Sequence, residues 1–153
     1  MSKIDDNLSE LGIVLPTPMP PMGSYVSVQR IGNLLFFSGV GPFERGKPVY
    51  FGKLGDELTL EQGQAAARLT ALNLVSILRN AVGDLDKVKQ IVKLLAFVAC
   101  SKDFTQQPAV VNGASDVLAE IFGERGKHAR SAVSAHVLPF NIPIEIEMIV
   151  EVE

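Results

Sequence analysis

With 153 residues, 47% hydrophobic and 20% charged, the chain has the size and composition of one globular domain that buries its own core. A formal net charge of −3 and a pI near 5.4 argue against a nucleic-acid partner and an anionic membrane surface. One cysteine, Cys100, excludes an intrachain disulfide and fits a reducing compartment. No run approaches the roughly 18 apolar residues of a membrane span, and Leu11 to Leu15 is too short for a signal core, so a cytoplasmic protein is expected.

Residues 1–22 form a Pro-rich N-terminal arm, with a short helix possible over Ile4 to Leu11 and an extended Leu15-to-Met22 stretch after it. Residues 23–153 read as a single domain. Two strands are expected at Tyr25 to Arg30 and Leu34 to Ser38, joined by the turn pair Gly32-Asn33. The segment from Phe43 to Leu58 reads as irregular, long enough to be a lid or binding loop. Thr59 and Gln62 then make a capping box for a helix reaching Val82, with Ala66, Leu69, Leu72, Val75 and Leu78 as its apolar stripe and Gly83 as its C-cap. Val88 to Ala99 is a strand, and Pro108 opens a second helix that buries Val110, Ala114, Val117 or Leu118, and Ile121. Gly123 ends it. The order ββαβαββ predicts an α+β fold, two helices on one face of a six-stranded mixed sheet. Its other face, mixed in character, suggests association with copies of itself.

The last two strands flank the Pro139-to-Pro143 turn. Ser131, Val133, Ala135 and Val137 are small or apolar in the first; Ile144, Ile146, Met148 and Val150 are apolar in the second. If both sets face one core, Arg130 and Glu145 share the opposite face. An arginine in such a strand must find an anion. Two readings stand: an ion pair with Glu145 or Glu147, or a fork that clamps a substrate carboxylate. Tyr25 reads as an ordinary strand aromatic or a hydroxyl beside the clamp. His128, His136 and Cys100 match no metal-ligand spacing, so no metal is expected. The glycines at 39 and 41 make no phosphate loop, and no cofactor motif is found.

The run Ala129-Arg-Ser-Ala-Val133 with Leu138-Pro139 and Ile144-Glu-Ile-Glu147 resembles the C-terminal signature of the RidA/YjgF family. Gly23-Ser-Tyr-Val26, Gly32-Asn-Leu-Leu-Phe-Phe-Ser-Gly39 and Val111-Asn112, placed before the second helix, resemble it too. The resemblance implies a chorismate-mutase-like fold, a homotrimer whose sheets form a central barrel, and sites in the clefts between subunits. It implies cofactor-free hydrolysis of reactive enamines and imines, of the 2-aminoacrylate type, to 2-oxo acids and ammonia. By position, Arg130 would grip the substrate carboxylate and Glu145 would hold or activate the attacking water. Tyr25 would line the cleft, Asn112 would support it, and the backbone around Ser38 and Gly39 would contact the substrate.

If Glu145 stands beside Arg130, its pKa should fall, which favours water positioning over proton abstraction. Ala132 and Val40 replace the Cys and Gln of many members, and the arm and the Gly46-to-Leu58 loop are long, which marks a side branch. His128 reads as an exposed loop residue or a proton relay. Two rival readings are a non-catalytic trimer that binds small carboxylates and a ribonuclease or translation inhibitor. The acidic pI, with 7% aromatics, argues against the second.

Overall fold

The computed structural model describes residues 2–153. The arm carries a helix, α1 (Lys3–Glu10), capped by the Ser2 side chain, which accepts from the Asp5 amide at 3.1 Å. Ile4 and Leu8, one turn apart, are buried. Asn7 Nδ2 donates to the carbonyls of Glu120 and Ile121, and Asp86 accepts from the Lys3 and Ile4 amides. The arm is therefore fastened to the body. Further on, the Ser76 hydroxyl donates to the Pro16 carbonyl.

Strands β1 (Val28–Ile31) and β2 (Leu34–Phe37) pair antiparallel across Gly32, at φ 58. The first begins three residues later than the sequence pattern suggested. The segment expected to be irregular holds a small ribbon, β3 (Phe43–Glu44) and β4 (Lys47–Pro48). Arg45 and Gly46 both take positive φ at its tip, as the tight turn of a twisted hairpin requires. Helix α2 (Leu60–Val82) has the full Thr59–Gln62 capping box and ends at Gly83, φ 79. Its buried stripe is turned from the expected one: Leu74 and Ile77 are buried, while Leu69 and Leu72 are half-exposed. Strand β5 (Val88–Ala99) follows, then α3 (Gln107–Phe122) with Pro108 in its first turn and all of its expected core residues buried. Strands β6 (Ala129–Ala135) and β7 (Ile144–Val152) close the chain.

The main sheet has five strands, not six, in the order β1-β2-β7-β5-β6, because β3 and β4 stand apart. Only β5 and β6 run parallel. Helices α2 and α3 pack on one face, over a core that includes Leu74, Leu118, Ile144, Ile146 and Met148. The alternation of β7 is as expected: Ile144, Ile146, Met148 and Val150 are buried.

Strand β6 is not. Strand β5 lies between β6 and β7, and its buried Leu94 is paired with Arg130, whereas half-buried Phe97 is paired with both Val133 and Glu145. Arg130 therefore points to the helix side and Glu145 to the open side. The expectation that they share a face is overturned. Ser131, Val133 and Ala135 lie on the open side, and Ala132 packs toward the core. Small side chains such as these can face either way at little cost, so the helices decide.

Candidate functional site

The site grows out of a one-residue misfit between β2 and β7. Phe36 pairs with Ile149, and pairing resumes at Val40 with Ile146, four steps on one side against three on the other. The extra residue bends the chain at Ser38 and Gly39, the kind of bulge that re-aims groups beside a site. Val40 and Ile146 exchange two 2.9 Å backbone hydrogen bonds, which pin the bend beside Glu145. A cleft of about 540 Å³ opens over it, lined by Tyr25, Ser38, Gly39 and Glu145 among others. Four of the expected site residues thus share one cavity.

Ser38 Oγ donates to the Val26 carbonyl at 2.7 Å, so it braces the bend. The Tyr25 hydroxyl accepts from the Met22 amide at 3.2 Å, linking the arm to the rim. Inside, the Glu145 carboxyl lies against the Gly39 backbone: a Cβ there would stand 2.9 Å from Glu145 Cδ. Burial pushes the Glu145 pKa above the ordinary carboxylate value, and the Glu147 charge adds to the rise. The expected lowering by Arg130 is overturned, since Arg130 lies across the sheet. A carboxylate so placed is a stronger base than an exposed one.

Arg130 sits on the edge strand, half-buried against α3. Its Nη1 donates to Ser115 Oγ at 3.0 Å and its Nη2 to the Pro108 carbonyl at 3.1 Å. Among the described residues the ion pairs are Arg68–Glu120, Arg79–Asp5 and Lys127–Glu124, none involving Arg130. The internal ion-pair reading therefore fails. The guanidinium is oriented by neutral acceptors, and no carboxylate of the described residues pairs with it. Asn112 does not precede α3 but lies within it, exposed, four residues after Pro108 and three before Ser115. It shares the helix stripe beside Arg130 and takes no place in the cleft.

Ser115 was not expected at the site, and for His128 an exposed loop residue and a proton relay were both open. His128 is not an exposed loop residue. Its Nδ1 donates to the Gly126 carbonyl at 2.6 Å, so Nε2 accepts from the Ser115 hydroxyl at 2.9 Å. Burial holds the imidazole below its ordinary pKa, the Gly126 bond opposes this, and the Arg130 charge lowers it further. A neutral His128 thus fixes the hydroxyl that fixes Arg130. Asn73 was also missed: it is buried on α2, and its Nδ2 donates to the Gly41 and Phe43 carbonyls at 3.2 and 2.9 Å, holding the cleft's rear wall. A polar residue on an apolar helix stripe was the available signal. Cys100 is buried, and no cluster of three or more His, Cys, Asp or Glu able to hold a metal occurs among the described residues. No helix is long and apolar enough to cross a membrane, also among the described residues.

An α+β sandwich of this order, with a carboxylate cleft over a bulge and an arginine on the far strand, defines a class. The family model described as "YjgF/chorismate mutase-like, putative endoribonuclease" matches residues 5–152. The chain belongs to this YjgF/RidA-like family and has its chorismate-mutase-like fold. It is 45% identical over 150 residues to Protein TCP17 of Trypanosoma cruzi, covering 97% of this chain and 94% of that one. It is similar to the crystal structure of protein Atu1372 from Agrobacterium tumefaciens, with TM-score 0.91, 41% identity, and 98% and 92% of the two chains covered. It is 29% identical over 143 residues to a 2-iminobutanoate/2-iminopropanoate deaminase of Dermatophagoides farinae, covering 92% and 96%.

Proposed function

We propose that this protein hydrolyses reactive imino acids, and the enamines in equilibrium with them, to 2-oxo acids and ammonia. The site would lie between subunits of a homotrimer, pairing the cleft of one copy with Arg130 of its neighbour. The observation that carries this reading is the separation of two complementary halves. Glu145 lines a cleft on the open face, and Arg130, oriented and without a carboxylate partner, stands on the edge strand across the sheet. One chain cannot bring them to one ligand; a second copy set against the open face can. The deaminase relative supports the chemistry.

The substrate's carboxylate would bind the Arg130 fork, leaving its imine carbon over Glu145. Glu145 takes a proton from water as the new C–O bond forms, and the C=N electron pair moves to nitrogen. The same carboxyl returns that proton to nitrogen and then takes the remaining hydroxyl proton as the C–N bond breaks; the oxygen keeps the carbonyl, and ammonia departs with that last proton as ammonium. The raised pKa of Glu145 in the chain itself suits a group that must accept and return a proton, and the neighbour's Arg130, engaged by the substrate carboxylate, offsets only part of the rise. Orientation supplies much of the rest, since a protonated imine is already electrophilic.

The test is the rate of 2-oxo acid release from imines made by an amino acid oxidase. Wild type should accelerate release; Arg130→Ala and Glu145→Gln should not. No acceleration with several amino acids would overturn the reading. RNA cleavage, which the family description names, is disfavoured by the −3 net charge of this chain.

A further inference from the structure

The polar lining of the cleft is Ser27, Ser38, Gly39, Glu145 and Glu147 with the Tyr25 hydroxyl. Its apolar half includes Met19, Pro20 and Pro21 of the arm with Phe43, Phe140 and Ile142. Behind these lies a separate small core of Phe43, Ala99, Leu138 and Ile142, against which Met19 packs. A three-carbon imino acid has on the order of six heavy atoms, each no larger than a water of about 30 Å³. In the cleft of one chain, about 540 Å³, it would fill only a part, and the remainder is shared between a larger side chain and the neighbouring copy.

The apolar walls are also held in place. Phe140 and Asn141 both keep a positive φ, 60 and 56, outside the region that side-chain-bearing residues favour. The Phe140 ring meets the Phe43 ring edge-on, centroids 5.8 Å apart, yet remains 54% exposed. The Asn141 carbonyl accepts from the Gly52 amide at 2.9 Å. The Asn73 side chain fixes the carbonyls of Gly41 and Phe43, and Ser76 fixes the arm at Pro16. At Gly41 a Cβ would stand 2.5 Å from Ile142 Cδ1, so the tip of that side chain packs directly on the glycine backbone. A strained, exposed aromatic held over an apolar slot points to an apolar ligand group.

We propose that this half of the cleft is a side-chain subsite, and that the substrates are imino acids with a large apolar side chain, aromatic or branched aliphatic. The assignment rests on the deaminase reading above and sets its substrate class. The neighbour's Arg130 selects for the acid, and the arm with Phe140 selects for the side chain. A methyl group reaches neither wall.

Two measurements separate this claim from the reading it rests on. The first is turnover of oxidase-generated imines of leucine, phenylalanine and alanine, each normalised to the rate of imine formation. The second is calorimetric binding of 4-methyl-2-oxopentanoate, phenylpyruvate and pyruvate, which needs no turnover. Wild type should favour the leucine and phenylalanine imines over the alanine imine at least tenfold in kcat/KM. Phe140→Ala, at an exposed position, should reduce that preference at least fivefold. Tighter binding of the two large oxo acids, without turnover of any imine, would retain the subsite and remove the deaminase reading. Turnover that favours the alanine imine, or pyruvate binding as tight as the larger acids, would overturn the subsite. Failure of all ligands to bind and all imines to react would overturn both.

Discussion

The Glu145 carboxyl rests on the backbone of Gly39, close enough that a methyl group at Gly39 would overlap it, 2.9 Å from Cδ and 3.1 Å from Oε1. Glycine there is a matter of space, since its φ is not in the left-handed region. Gly39→Ala is therefore expected to fold and to push the carboxyl aside. A misplacement of about 1 Å in a reacting group can cost roughly 100-fold in rate. Imine hydrolysis should fall 10- to 100-fold with little change in Tm; an unchanged kcat/KM would show that the carboxyl's position does not matter.

The raised pKa of Glu145 has a sign that can be measured. The folded protein holds this proton more tightly than the unfolded chain, so the contribution to stability is full below about 4.5 and is lost as pH rises through the raised value. Glu145→Gln, always neutral, should be more stable than wild type at pH 7, by a small margin because the group is half-exposed. The difference should shrink toward pH 4. Thermal melts at both pH values check this, and a margin that grows on acidification would contradict the assignment of burial as the main cause.

Why the cleft was legible and the arginine was not follows from side-chain size. Ile144 to Val150 alternate large apolar groups with glutamates, so β7 could be read face by face, and Glu145 went to the correct side. In β6 the candidates are Ser131, Ala132, Val133, Ser134 and Ala135, too small to mark a buried face, and the register with β5 settles the question. The helices were legible where caps and period agreed, at Thr59–Gln62 and Gly83. The ribbon of β3 and β4 escaped because its turn places Arg45 at φ 51, a conformation that arginine does not advertise. The Ser115–His128 contact joins a helix to the entry of a strand, and no local pattern encodes that distance.

The Arg130–Ser115–His128 chain predicts both a binding defect and a pH response. Ser115→Ala leaves Arg130 with the Pro108 carbonyl alone, so KM for carboxylate substrates should rise about 3- to 10-fold, in line with roughly 1 kcal/mol for a typical hydrogen bond. The variant kcat should change less. His128, with its lowered pKa, contributes stability that is present above about 6.5 and lost as pH falls through the folded value. Asp116, Lys127 and Arg130 line the same recess, and the Arg130 charge opposes a protonated ring. Wild type should therefore lose Tm below pH 6.5 more steeply than His128→Asn. Parallel pH profiles would remove His128 from the network.

Where α2 crosses α3, the separation is set by Gly113. A Cβ at that position would lie 2.1 Å from the Gln64 carbonyl oxygen and 2.8 Å from its carbon, both backbone atoms of the facing helix. Backbone cannot turn aside as a side-chain tip can, so Gly113→Ala must force the helices apart over a core that includes Ala67, Ala114 and Leu118. Overpacking of this kind costs about 1–3 kcal/mol, and at this chain length 1 kcal/mol moves Tm by about 2–4 °C. A drop of roughly 4–10 °C is expected. Arg130 should suffer with it, because Ser115 and Pro108, its two acceptors, ride on the displaced helix. Carboxylate affinity should weaken at temperatures well below the melt. Gly83→Ala supplies the comparison: φ 79 strains it, but nothing lies within 4 Å of its Cβ, and it is remote from Arg130's acceptors on α3. It should lower Tm and leave affinity unchanged; equal affinities in the two variants would show that helix spacing does not position the arginine.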